Sequence, residues 1–77
     1  MPRYYFNVYP HDRAQIDHEG EVFPDKHSVW KEATVTSGQI LQDMDGRLLP
    51  GEEWRLEVTD EFAHPIYVIR IIAEEPD

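Results

Sequence analysis

The segment that most constrains the fold is residues 24–46, the one part of the chain with a clear amphipathic helix pattern. At about 100° per residue its apolar and small side chains fall within one arc of about 140°. They are Trp30, Ala33, Ser37, Ile40, Leu41 and Met44, with Val29 at the margin. Asp25 is suited to cap the helix start, and Gly46 can take the positive φ that often ends a helix. The sequence predicts one helix at about residues 25–45, and the weak helix formers at residues 34–38 leave its continuity open.

Four further segments have the alternation or the β-branched and aromatic content of strands. They are residues 3–9, a returning strand at 15–17 and 21–23 interrupted near Gly20, residues 53–59 and residues 66–73. The predicted order is therefore ββαββ. The arrangement that buries most apolar surface is an α+β fold, a four-stranded, mainly antiparallel sheet with the helix packed on one face. We expect a single domain over residues 1–77, with a frayed acidic tail at 74–77.

Charge and composition narrow the classes of function. The 16 Asp and Glu residues outnumber the 7 Lys and Arg residues, for a formal net charge of −9. Because this charge repels phosphate backbones and the basic residues are scattered, nucleic-acid binding is not expected. The chain has no cysteine, no apolar run of the roughly 18 residues that a membrane span needs, and no secretory signal. We therefore expect a small acidic cytoplasmic protein without membrane association.

The last predicted strand is apolar on both faces, and one helix cannot cover both. Tyr67, Ile69 and Ile71 alternate with a second set that contains Arg70. Because an arginine favours solvent, we expect the second set to point away from the helix, joined by tyrosines of the first strand if the two strands are near. The candidate interaction face comprises Tyr5, Tyr9, Ile66, Val68 and Ile72. Two interpretations stay open: association with another chain, or a solvated face interrupted by charges.

Two groups of residues carry the side-chain types that bind metals. The first group surrounds the first turn and comprises His11, Asp12, Asp17 and His18, at a spacing that matches no site we can derive. The second group, Asp43, Asp45, Gly46 and Glu52, matches four positions of an EF-hand calcium loop. Leu41 stands at the first ligand position of that loop, and a strand follows it. We interpret the second group as a helix end and expect no metal and no cofactor.

No catalytic constellation is recognisable. The serines and threonines lie beside no evident base, and the glycines are too dispersed for a phosphate-binding loop. One helix on one small sheet rarely encloses a substrate pocket. We therefore expect a protein that is not an enzyme.

Three segments carry a family resemblance: MPRYYFNV at the start, DHEGEVFPD before the helix and WRLEVTDEFAHPIYVIRI near the end. They resemble a family of small bacterial proteins, frequent in rhizobia and related alphaproteobacteria, that is known only as a domain of unknown function. Its most specific positions here are Pro2 to Phe6, Asp17, Gly20, Pro24, Asp25 and Val58 to Asp60. The family has no established activity or ligand, so the resemblance implies the fold and no function.

A weaker similarity concerns the hairpin, the Phe23-Pro24-Asp25 entry and the helix. These features resemble the start of HicB-like antitoxins, which neutralise a small basic RNase toxin. Those proteins usually add a third strand before the helix, which is missing here. The resemblance implies an acidic inhibitor of a basic protein, which suits the net charge of −9.

The sequence thus leaves three hypotheses. The first is a non-enzymatic interaction module that forms a homodimer or binds a protein partner through the candidate interaction face. The alternative is an antitoxin-type inhibitor of a small basic protein. The second alternative is a metal or small-ligand sensor that uses the histidines and carboxylates of the first turn.

Overall fold

In the computed structural model, which describes residues 2–10 and 14–76, the chain forms one sheet and one helix. The elements are β1 (Arg3–Tyr9), β2 (Glu21–Val22), α1 (Lys26–Met44), β3 (Glu53–Thr59) and β4 (Pro65–Ile72). The predicted α+β fold with ββαββ order is confirmed, and the four long elements lie within one residue of their predicted bounds. His11, Asp12 and Asp77, which the sequence predictions also name, lie outside the described residues.

All strand pairs are antiparallel, and the order across the sheet is β2-β1-β3-β4. The central strands are therefore β1 and β3, and β2 and β4 form the edges. Phe6 of β1 lies opposite Val58, which lies opposite Tyr67 of β4. After Val58 the register with β4 shifts, so that Thr59 pairs with the first residue of β4 and Ile66 is left as the extra residue of a bulge.

The core lies on one face of the sheet, where it is covered by α1 and by the side chain of Phe23. At its centre three β3 side chains are almost fully buried: Trp54, Leu56 and Val58. The helix contacts β3 and β4. The ring of Phe23 covers β1 instead, with its centroid 6.1 Å from that of Tyr4 and 5.8 Å from that of Phe6. The helix is therefore displaced toward the β4 side of the sheet.

The helix α1 runs unbroken through residues 34–38, so packing outweighs the weak helix propensity of that stretch. Asp25 caps its start as predicted, because its Oδ1 accepts a hydrogen bond from the N–H of Ser28 at 2.8 Å. At the other end Asp45 takes the left-handed conformation, with φ of 49°, and the expected Gly46 follows with φ of 87°. Within the described residues, no helix combines the length and the apolarity that crossing a membrane requires.

The buried side of α1 differs from the predicted one. Val29, expected at the margin, is fully buried together with Ala33 and Ser37, whereas Trp30 and Leu41 are each 41% exposed. Small side chains let the helix backbone approach the sheet closely, so the side of the helix with Ala33 and Ser37 faces the sheet. The larger side chains of Trp30 and Leu41 lie at the border of this contact. Trp30 and Leu41, called the helix flank below, therefore border the core and do not form its centre.

The second strand is short because Asp17 takes over its pairing with β1. The Oδ2 of Asp17 accepts a hydrogen bond from the N–H of Phe6 at 3.1 Å. Phe6 lies two residues after Tyr4, the last residue of β1 that pairs with β2. Its Oδ1 accepts from the N–H of Gly20 at 3.0 Å, and strand-like pairing resumes between Val8 and Gln15. The predicted returning strand is therefore formed as two short pieces joined by a turn that a carboxylate organises.

The charge of Asp17 is expected to stabilise this turn. Burial raises the pKa of Asp17, but hydrogen bonds from the N–H groups of Gly20, Phe6 and Glu19 outweigh burial and hold the pKa below the usual 3.8. A lowered folded-state pKa means that the ionised form stabilises the fold above the unfolded-state pKa. This contribution is lost as the pH falls through the folded-state pKa. We expect Asp17→Asn to lower the free energy of unfolding in urea by about 1–2 kcal/mol at pH 7.

The cost of Asp17→Asn should shrink steadily below pH 3.8, because the wild-type carboxyl group then becomes protonated, first in the unfolded chain and at lower pH in the folded chain. Asp43→Asn, on the exposed side of α1, is the matched control and should change the free energy of unfolding by less than about 0.5 kcal/mol. An equal cost of Asp17→Asn in neutral and in strongly acidic urea titrations would contradict a role for the charge.

Candidate functional site

The strand β4 forms a long open edge of the sheet. Among the described residues it pairs with β3 alone, and nothing pairs with its outer side. Ala73, directly after β4, donates its N–H to the carbonyl of Glu52 across the sheet at 3.1 Å. Because main-chain groups alternate in direction along a strand, Val68, Arg70 and Ile72 point their N–H and C=O groups outward. The outer side of β4 is therefore a row of main-chain donors and acceptors.

The opposite edge of the sheet offers no comparable row. The edge strand β2 has two residues. Beyond it, Asp17 and Gln15 pair with the main chain of β1. Of the two edges, the β4 edge is therefore the one with a long strand whose outer main-chain groups can pair with another strand.

Apolar side chains accompany the open edge on both faces of the sheet. On the face away from the helix, Val68 and Ile72 are 45% and 59% exposed. On the helix face, the ring of Trp30 packs against that of Tyr67 of β4, with the centroids 5.1 Å apart. Leu41 lies on the same side of α1, about three turns further on, so the helix flank runs along the β4 side of the molecule. The β4 edge site, as the term is used below, consists of Val68, Arg70, Ile72, Trp30 and Leu41.

The residues of the predicted interaction face do not all come together. Tyr5 and Tyr9 lie on β1, Val68 and Ile72 lie on β4, and β3 runs between them. Ile66 is half-buried and packs against the core, because it is the extra residue of the bulge. The structure thus keeps Val68 and Ile72 on one strip and separates both tyrosines from them.

Charged side chains occupy the outer face next to that strip. In the register of β3 and β4, Arg55 lies opposite Arg70, and Glu57 lies opposite Val68. The guanidinium carbon of Arg55 lies 4.2 Å from the ring centroid of Tyr9, and this cation–π contact offsets part of the cost of burying an Nε that has no hydrogen-bond partner. The charged side chains of β3 therefore separate the apolar strip on β4 from Tyr5 and Tyr9 of β1 on the same face.

Two of the candidate metal ligands, Asp17 and Glu52, accept main-chain hydrogen bonds through their carboxylates. The carboxylate of Asp17 accepts from main-chain N–H groups of its own turn. After α1, the guanidinium of Arg47 donates to the carbonyls of Met44 and Asp43, at 2.8 and 2.7 Å. These bonds close the helix end, which fits the interpretation of residues 43–52 as a helix end. Among the described residues, no three His, Asp or Glu side chains are grouped as a metal site requires.

A shallow depression of about 530 Å³ lies between the loop before β3 and the end of the chain. It is lined by Pro50, Gly51, Ala73, Glu74, Glu75 and Pro76. This lining contains no serine, threonine, histidine or lysine, so the Ser–His and Lys nucleophile arrangements are absent from it, and its ionisable side chains are those of Glu74 and Glu75.

Sequence reasoning missed the helix flank and the open edge. The periodicity assigns Trp30 and Leu41 to the core, because both are large, apolar and on the helical stripe. The signal for their true position is that both lie at one end of the apolar arc, within about 20° of each other. The edge position of β4 has no local signal, since strand order follows from long-range pairing.

Comparison with known proteins identifies a family and no activity. A family model with the description "Domain of unknown function (DUF6894)" matches residues 3–73. The predicted resemblance to an uncharacterised family is thereby confirmed. No curated protein and no solved structure matches the chain. The HicB-like similarity stays a prediction.

Proposed function

This chain belongs to the DUF6894 family, whose function is unknown, and we propose that it is a non-enzymatic protein-interaction module that adds a strand of another chain to the open edge of β4.

The observation that carries the proposal is the open edge itself. The strand β4 is eight residues long, and among the described residues nothing pairs with its outer side. Unpaired main-chain groups along an edge are a template for a further strand, and strand addition is a recurring way in which proteins recognise extended segments.

The strand also lacks the features that usually prevent edge pairing. Edge strands are commonly protected by lysines, by prolines or bulges in mid-strand, or by charges that point inward. In β4 the proline is the first residue, Pro65, and the bulge lies beside it at Ile66. The one charged residue is Arg70. The stretch from Tyr67 to Ile72 is therefore suited to accept a strand.

The charge distribution supports the same function. The chain carries a formal net charge of −9, yet β4 contains no acidic residue. General acidity suppresses unspecific association with the many acidic proteins of a cell. A second strand that pairs with β4 meets no acidic side chain on β4.

A catalytic role has weaker support. The depression beside residues 73–76 offers two glutamate carboxylates and no hydroxyl, imidazole or amine, whereas four of the exposed large apolar side chains lie together at the β4 edge site. Exposed apolar surface next to an open edge favours binding over chemistry.

The test is amide hydrogen exchange, measured by NMR on the full chain in the presence of a strand donor. The donor is a synthetic peptide that copies residues 64–74, and the control peptide has prolines in place of the copied Val68, Ile69 and Arg70, so that it cannot pair as a strand. We expect the donor to slow the exchange of the Val68 and Arg70 N–H groups by at least about tenfold relative to the control. The N–H groups of Ile69 and Ile71, which face β3, should exchange slowly with both peptides.

Two other outcomes are informative. Slow exchange of Val68 and Arg70 with both peptides would show an edge already paired with a second copy, which supports strand addition as well. Exchange of these two N–H groups at the rate of an unprotected loop with the donor peptide as well as with the control would overturn the proposed function.

A further inference from the structure

Building on the proposed function, we infer that the partner for the β4 edge is a second copy of this chain. The two β4 strands pair antiparallel about a two-fold axis at Ile69, so that the two sheets join into one continuous sheet with both helices on the same face.

The main-chain pattern limits the possible registers and admits one centred on Ile69. Since Val68, Arg70 and Ile72 point their main-chain groups outward, a symmetric pair can exchange hydrogen bonds only when these residues face each other. Centring the pair on Ile69 places Val68 of one chain opposite Arg70 of its partner, and Ile72 opposite Ile66. Nearly the whole length of β4 is then used on both sides, as an isologous contact requires.

The side chains favour the same centre. A register centred on Arg70 would place two arginines directly opposite each other, which is destabilising. A register centred on Val68 would leave Ile72 opposite His64, in the turn before β4. Of these three registers, only the one centred on Ile69 both pairs Ile72 with a residue of β4 and keeps the two Arg70 side chains apart.

Charges on the outer face are complementary in this register. In each chain Glu57 lies beside Val68, and Arg55 lies beside Arg70. Joining the strands puts Arg70 of one chain next to Val68 of its partner, with the partner's Glu57 one strand further. The Cα atoms of Arg70 and of the partner's Glu57 would then be two strand spacings, about 9.6 Å, apart, which an extended arginine and a glutamate can bridge together. The pairing therefore gives Arg70, which faces Arg55 within its own chain, an acidic neighbour.

The helices support the pairing from the other face. The helix lies over β3 and β4. With strands about 4.8 Å apart, its axis lies about 5 Å from the seam between the two copies. Two such helices are about 10 Å apart, at the upper end of the 8–10 Å at which helices pack. Trp30 and Leu41, each 41% exposed in one chain, lie on the side of α1 that faces this seam and would be covered in the dimer.

The test combines a mass measurement with cross-linking of a chain that has no cysteine of its own. Light scattering on the wild-type chain should give twice the 9.1 kDa of one chain at tens of micromolar. Val68→Cys and Arg70→Cys are then oxidised separately and as an equal mixture. Opposed Cα atoms about 5.5 Å apart allow a disulfide. Two copies of the same cysteine would be about 8–9 Å apart, which does not.

We expect the mixture to yield at least about five times more disulfide-linked dimer than either variant alone. A mass of one chain at every concentration would overturn the inference, and the exchange of Val68 and Arg70 with the donor peptide would then decide separately whether strand addition survives. A dimer in which Val68→Cys or Arg70→Cys links to itself, or in which no combination links, would overturn the pairing about Ile69.

Discussion

Replacing Leu56 with alanine is expected to lower the free energy of unfolding by about 2–5 kcal/mol. Leu56 lies on the central strand β3, is fully buried, and pairs with Val8 on one side and Ile69 on the other. The truncation removes transfer free energy and leaves a cavity that two paired strands and a helix cannot close. A chain of 77 residues has a total free energy of unfolding of about 4–12 kcal/mol, so the loss is a large share of it. Urea denaturation followed by circular dichroism measures it.

The matched control for this truncation is Leu49→Ala. Leu49 is 56% exposed in the loop before β3, so the same chemical change should cost less than about 1 kcal/mol. Similar losses in the two variants would mean that β3 does not lie at the centre of the core.

Replacing Gly20 with alanine is expected to cost about 2–4 kcal/mol, the second large effect. Gly20 has φ of 69°, and a Cβ built on it would lie 2.8 Å from the carbonyl oxygen of Tyr4 and 2.8 Å from the ring of Tyr5. The ring can rotate, but the carbonyl belongs to β1 and cannot move without disturbing the sheet. The energetic cost of the left-handed backbone and the cost of the clash with the Tyr4 carbonyl therefore add. The free energy of unfolding in urea is again the measurement.

Gly46→Ala separates these two causes. Gly46 also has a positive φ, of 87°, but a Cβ there would meet no atom within 4 Å. This variant should show only the cost of the left-handed conformation, about 1–2 kcal/mol. Equal losses for Gly20→Ala and Gly46→Ala would contradict the close approach of the Asp17 turn to β1.

Most of the fold could be predicted because its elements have local causes. Asp25 can cap the helix start whatever the helix packs against. The alternation of apolar and polar residues through β3 requires one buried face in any antiparallel sheet. The length of β2 could not be predicted, because it depends on Asp17 reaching the N–H of Phe6, 11 residues away along the chain. Such a contact between a side chain and the main chain has no periodic pattern.

The candidate site was predictable in part. The last strand is apolar on both faces, which indicates that one apolar face is left uncovered by the helix. Val68 and Ile72 are indeed exposed. The sequence groups Tyr5 and Tyr9 with them on the condition that the first and last strands are near, and the sheet order places β3 between these strands. The hydrophobic pattern specifies which face a residue takes and does not specify which strand is its neighbour.

The sequence by itself determined the helix, the three long strands and the acidity of the chain, because helix caps, side-chain periodicity and charge act over a few residues. Only the tertiary structure decided that β4 lies at the edge, that small residues of α1 face the sheet and that Trp30 and Leu41 border the core. These features depend on which strands pair and how closely the helix can approach, and both are set by packing between segments far apart in the chain. The open edge, and with it the proposed function, follows from that packing.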